Sequence, residues 1–161
     1  FGLRQLPVRK AVSVGVSGCI VMYFIVVLIT HLVLPMFLDP DSDAAKPQAP
    51  VEAFQNAHGF LQILLIIIGA VVVAPVSEEI LFRGFLYGVT KRFTDRWFSA
   101  IFTSLVFACT HLNIASTLPL FVLAMGFAIA YEVTGSLIVP ITMHALFNAT
   151  SLLLLSFAPR P

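Results

Sequence analysis

Charge is what this sequence has least of. Only 11% of its 161 residues are Asp, Glu, Lys or Arg, against about 25% in an ordinary soluble domain. A water-facing surface cannot be built from that inventory. Cysteine occurs twice and tryptophan once. Cys19 and Cys109 both fall inside apolar runs, which argues against a disulfide framework or a cysteine-rich metal site. No basic run interleaved with aromatics is present and the net charge is +1, so nucleic acid is not an expected partner. HExxH is missing too, and with it the most specific local sign of a zinc peptidase. The chain opens on Phe1 rather than Met, which suggests a fragment of a longer protein.

What is plentiful is apolar. Hydrophobic residues make up 59% of the chain, fifteen of them Phe, and the mean hydropathy is +1.00. Four stretches contain no Asp, Glu, Lys or Arg: Ala11–Leu38, Ala53–Ser77, Trp97–Tyr131 and Val133–Pro159. Each exceeds the roughly 20 residues that cross about 30 Å of hydrocarbon at 1.5 Å per residue. The third is too long for one span and is broken at Asn113–Pro119. The first is much longer than the apolar part of a signal peptide, so it reads as a retained helix.

The expected fold is therefore an all-α, polytopic transmembrane helix bundle in a single domain over 1–161. Five membrane helices are expected at about 11–37, 58–92, 97–112, 117–132 and 136–157, as a fragment forming the core of a larger bundle. The Pro- and Ala-rich stretch 38–57 reads as a flexible external loop. Arg4, Arg9 and Lys10 precede the first helix, and Lys91, Arg92 and Arg96 follow the second. The loop between them carries Asp39, Asp41, Asp43 and Glu52 against Lys46. That bias puts the N-terminus on the cytoplasmic side.

Ionisable groups inside a bilayer cost about 2.5–3.5 kcal/mol or more each, so each needs a reason. They fall in three places: Glu78, Glu79 and Arg83 on the second helix, His111 on the third, and His144 with Asn148 on the fifth. Counted from the cytoplasmic ends, Glu79 and Asn148 lie roughly 18 Å deep, His111 roughly 21 Å and His144 roughly 12 Å. Three helices thus bring polar groups to similar levels, which chance would scatter.

Spacing assigns partners. Glu79 and Arg83 are i,i+4 with the acid first, the favourable order for a helical ion pair. Glu78 points about 100° away and is left without a partner, as a general base would be. His144 and Asn148 share one helix face. Pro75 and Pro140 remove backbone donors nearby, and such kinks suit a bundle that opens into a small wet cavity. With these parts Glu78 and His111 could deprotonate a water for attack on a peptide carbonyl, while His144 and Asn148 donate to the oxyanion. The same atoms also permit Zn2+ on Glu78, His111 and His144, with one position open for water.

The EExxxR at Glu78–Arg83, the FxxxH at Phe107–His111 and the HxxxN at His144–Asn148 resemble the three motifs of the CPBP family. These are the CAAX-protease and bacteriocin-processing intramembrane endopeptidases, also known as Abi or type II CAAX prenyl endopeptidase-like proteins. Thr134–Leu137 is similar as well, and the resemblance covers a motif-bearing core of about 60–155. It implies that Glu78 is the catalytic glutamate and His111 its partner, with His144 and Asn148 at the oxyanion and Glu79 with Arg83 as structural support. It also implies a peptide or protein substrate, lipidated or bacteriocin-like, met in membrane lipid, and a place in a bacterial cytoplasmic membrane. The family has been described both as zinc-dependent and as metal-free. The metal-free form is expected here, because Asn148 is a poor zinc ligand and a sensible oxyanion donor.

Other readings stand beside this one. Glu78, His111 and His144 could form a proton or solute relay, or the polar contacts could be bundle glue in a scaffold or bacteriocin-immunity factor. His31 and His58 read as interfacial, Cys109 as packing, Tyr131 and Glu132 as helix-end residues, and Phe107 as packing beside His111.

Overall fold

The computed structural model describes residues 6–39 and 47–157. Arg4, Asp41, Asp43 and Lys46, used above for orientation, lie outside them. All the elements within are helical. They are α1 (Val8–Met36), α2 (Ala49–Gln55), α3 (Phe60–Thr90), α4 (Arg96–Thr110), α5 (Ile114–Thr134) and α6 (Ile138–Ser156). Four of them, α1, α3, α5 and α6, are long and apolar enough to cross a membrane. The chain is an integral membrane protein built as an all-α polytopic bundle.

The expected third membrane helix is shorter than a full span. α4 has 15 residues, about 22 Å at 1.5 Å per residue. Asp95 starts it by accepting from the backbone N–H groups of Trp97 and Phe98 at 2.7 and 3.0 Å. It stops at Thr110 because Leu112 takes a left-handed turn at φ 50°, a conformation costly for a residue with a Cβ. Asn113 then caps α5 by accepting from the N–H of Ser116 at 2.9 Å. The expected break does not extend to Pro119, which lies inside α5. Nor is 38–57 wholly a loop: Pro50 occupies the first turn of α2, where its missing N–H is no loss. At the far end of α5, Gly135 adopts φ 63° and its N–H bonds Tyr131 O at 2.8 Å.

α1 packs on α6 and α5, and small residues let the backbones approach. A Cβ at Gly15 would sit 2.7 Å from Thr142 Cβ and 3.0 Å from Val139 O, and one at Gly18 would sit 2.9 Å from Met143 Sδ. Gly126 faces Met22 in the same way. Met22, Val26, Leu123, Phe127, Val139 and Met143 form the apolar core between these helices.

α3 lies at the rim. Phe60, Leu61, Leu65, Val72, Val73, Leu81 and Phe85 are exposed along it, as lipid-facing residues are. It leans on α6 through Gly69–Glu79 and on α4 through its last turns. Two stretches of α3 are wound more widely, as π-helix, at Gly69–Val73 and Ile80–Leu86. Single π turns of this kind are frequent at functional sites. Near its end, Tyr87 and Lys91 both donate to Glu132, at 2.9 and 2.6 Å, tying α3 to α5. Glu132 is thus a helix-end residue with a fastening role.

Candidate active site

The two wide turns of α3 bracket its acidic pair. Glu79 points inward and is fully buried, whereas the Glu78 side chain retains 29% exposure. One oxygen of Glu79 accepts twice: from Arg83 Nη1 at 2.9 Å and from His144 Nδ1 at 3.1 Å. The i,i+4 pair read from the sequence is therefore present, and it holds a third member. Arg83, 1% exposed, spends Nη2 on the Ala124 carbonyl at 2.7 Å. Its guanidinium lies between the rings of Phe107 and Phe127, 5.1 and 5.3 Å from their centroids. A buried charge without such partners would be strongly unfavourable.

His144 is fixed from three sides. Its ring stacks on Phe127 at 5.1 Å and meets the edge of Phe107 at 5.9 Å. Its Nδ1–H goes to Glu79, so its Nε2 is the free ring position. That Nε2 lies 3.9 Å from Glu78 Oε2. Glu78 Oε2, Glu79 Oε2 and Arg83 Nε have no hydrogen-bond partner in the protein. Buried polar atoms are almost always paired, so a cluster of exceptions points to a place where water or substrate completes the bonds.

His111 sits at the C-cap of α4, where its Nδ1 bonds Phe107 O at 2.9 Å. This satisfies one of the carbonyls a helix leaves open at its end and again leaves Nε2 free. The ring packs on Phe107 at 4.8 Å. Phe107 thus touches Arg83, His111 and His144, and is the wall both imidazoles share. Asn148 donates Nδ2 to the Ala70 carbonyl at 2.8 Å, so one of its two N–H groups is already committed.

The six site residues expected from the sequence fall around this wall and the adjoining face of α3. Glu78, Glu79, Arg83 and His144 form one contiguous cluster, His111 reaches it through Phe107, and Asn148 binds α3 near Pro75. Among the described residues, no three His, Cys, Asp or Glu side chains gather closely enough to hold a metal ion. The zinc set of Glu78, His111 and His144 is not assembled in this arrangement. The contribution of α5, through Phe127 and the Ala124 carbonyl, was missed by sequence reasoning. An apolar residue among apolar residues and a bare carbonyl carry no sequence signal.

A cavity of about 440 Å³ lies apart from this cluster, lined by Val26, Thr30, Leu34, Pro119, Leu123 and Phe147 among others. None of the site residues lines it. His31 is exposed near the end of α1 and Cys109 is free and exposed on α4, so neither joins the site.

The polar cluster on α3, α4 and α6 coincides with the part of the chain that known proteins share. The chain is 29% identical over 98 residues to the Bacillus subtilis (strain 168) protein named "Putative membrane peptidase YdiL", covering 58% of this chain and 40% of that protein. It is 31% identical over 98 residues to the Escherichia coli "Uncharacterized 24.3 kDa protein", covering 58% of this chain and 44% of that one. The chain thus spans less than half the length of these curated relatives. No solved structure matches it. The family described as type II CAAX prenyl endopeptidase Rce1-like matches residues 60–150, a stretch that includes Glu78, Glu79, Arg83, His111, His144 and Asn148. By that match over more than half of its length, the chain belongs to the type II CAAX prenyl endopeptidase Rce1-like family.

Proposed function

We propose that this chain carries the active site of an intramembrane endopeptidase that hydrolyses a peptide bond with an activated water. Glu78 takes a proton from the water as its oxygen attacks the carbonyl carbon. The carbonyl electrons move onto oxygen, and the tetrahedral anion accepts hydrogen bonds from His144 Nε2–H and the uncommitted N–H of Asn148. Glu78 then returns the proton to the departing amine as the C–N bond breaks. His111 orients the water alongside Glu78. The observation that carries water-activated hydrolysis, whichever imidazole assists Glu78, is the 3.9 Å approach of Glu78 to the free nitrogen of His144, whose other nitrogen is held by buried Glu79.

Glu79 has a definite part in this scheme. Because Nδ1–H is committed to Glu79, Nε2 can donate to an oxyanion only when the ring carries both protons. Glu79 is the anion beside it that balances this charge, while Arg83 keeps the pair from being a lone buried carboxylate. A second reading exchanges the imidazoles. It has one observation in its favour, since His144 rather than His111 lies within 4 Å of Glu78. In that version His144 and Glu78 activate the water and His111 serves the oxyanion.

The reading is metal-free: Asn148 supplies a donor rather than a ligand, and among the described residues no three His, Cys, Asp or Glu side chains are placed to hold a metal ion. Substrate would be a peptide or protein in membrane lipid, with a prenylated C-terminal segment as the first chemistry to try. We further propose a cytoplasmic N-terminus in a bacterial cytoplasmic membrane.

The test is direct. The purified chain in proteoliposomes should cleave a fluorescence-quenched peptide bearing a farnesylated CAAX end, with oxygen-18 from labelled water in the new carboxyl. Failure to cleave both the farnesylated and the bare peptide, by protein shown to be folded, would count against the peptidase. A proton flux insensitive to peptide would instead favour a relay.

A further inference from the structure

α3 changes its hydrogen-bond register just before Pro75. The N–H of Ala74 bonds Gly69 O, five residues back. Continued in that register, the next carbonyl, Ala70 O, would be bonded by the N–H of residue 75. Residue 75 is proline, and proline has no N–H to give. An unpaired carbonyl is expensive within a membrane, where no bulk water is at hand to satisfy it. The structure supplies a donor from another helix: Asn148 Nδ2 bonds Ala70 O at 2.8 Å.

We propose that Asn148 is a positioning residue, whose side-chain amide replaces the N–H that Pro75 lacks and so holds the wide turn that aims Glu78 at His144. α6 grips α3 at two points, Asn148 on Ala70 and His144 on Glu79. Pro75 and Glu78 lie between them in sequence. With both grips closed, the section of helix that carries Glu78 cannot rotate or rewind independently of α6. Asn148 and His144 are four residues apart on one face of α6, so a single helix face sets the position of the acid and presents the imidazole opposite it. The amide has a second N–H, so the staple is compatible with donation to an oxyanion. The staple stands on geometry alone; what it aims Glu78 to do rests on the peptidase reading.

A double-mutant cycle tests it. Unfolding of the full chain in detergent is followed for the parent, Asn148→Ala, Pro75→Ala and the double variant. Asn148→Ala should lower the midpoint in the parent, and much of that loss should vanish once Pro75→Ala has restored a backbone donor. Additive effects would overturn the staple. Asn148→Leu, matched in size but lacking a donor, guards against a Pro75 variant that does not fold: a midpoint equal to the parent's would also overturn it. The positioning half is read with the quenched farnesylated peptide. Asn148→Ala should lower kcat at least about tenfold at unchanged KM, and adding Pro75→Ala should recover part of that loss, since the restored N–H of residue 75 holds the wide turn that aims Glu78 while the oxyanion donor stays missing. No recovery of kcat refutes positioning. If the parent itself cleaves nothing, the peptidase reading fails while the unfolding cycle still judges the staple.

Discussion

Glu79 accepts two hydrogen bonds on one oxygen with no solvent exposure, and its two partners separate stability from chemistry. Arg83→Met leaves the carboxylate buried without its cation and should cost about 3–5 kcal/mol of unfolding free energy. Denaturation of the detergent-solubilised protein measures this, and a loss under about 1 kcal/mol would mean the pair is not desolvated as described. Glu79→Gln keeps an acceptor for both Arg83 and His144 while removing the balancing charge. It should leave the bundle folded but slow hydrolysis on the order of 10²-fold, the effect of weakening one oxyanion donor once His144 loses the anion that balances its second proton. Wild-type turnover in that variant would release Glu79 from any part in the reaction. The pair itself was legible in the sequence, because i,i+4 spacing with the acid first places the two groups over one another. Its bond to His144 was not, since 65 residues separate the partners.

At the level of helices, the close contacts of α1 are the most exposed to test. Gly15→Leu would drive side-chain atoms into Thr142 and the Val139 carbonyl and should destabilise by about 1–3 kcal/mol. Gly88→Ala meets nothing within 4 Å and should be tolerated, which makes it the control. Asp95, the cap of α4, carries a pH prediction. Backbone N–H groups of Phe98 and Trp97 hold its carboxyl below the ordinary range, so the folded state favours the carboxylate. The cap therefore contributes fully above the unfolded value near 3.9 and is lost as pH falls through the lower folded value. Asp95→Ala should be less stable than the parent at pH 7 and converge with it in acid, a difference that melting curves across pH would reveal. The helix spans were readable from uncharged runs, but the early stop of α4 was not. Leu112 takes the left-handed turn, where a glycine or asparagine would have announced it. The wide turns of α3 were equally hidden, because π winding has no composition of its own. Pro75 marked a kink without indicating which carbonyl it would orphan or which helix would answer.

On the scale of the molecule, α3, α4 and α6 gather Glu78, Glu79, Arg83, His111 and His144 around Phe107, while α3 turns a row of apolar side chains outward. On the proposed mechanism, hydrolysis depends on side chains of α3, α4 and α6 together and on no metal ion. Prolonged treatment with a strong chelator should therefore leave cleavage unchanged, and loss of activity restored by added Zn2+ would replace the water-activating glutamate with a metal-based account. The most direct measurement is the cleavage rate of Glu78→Gln in proteoliposomes, beside the parent at matched, verified folding. Removing a general base should lower the rate by about 10²–10⁴-fold while the unfolding midpoint stays where it was. Parental turnover in this variant would contradict the account at its centre.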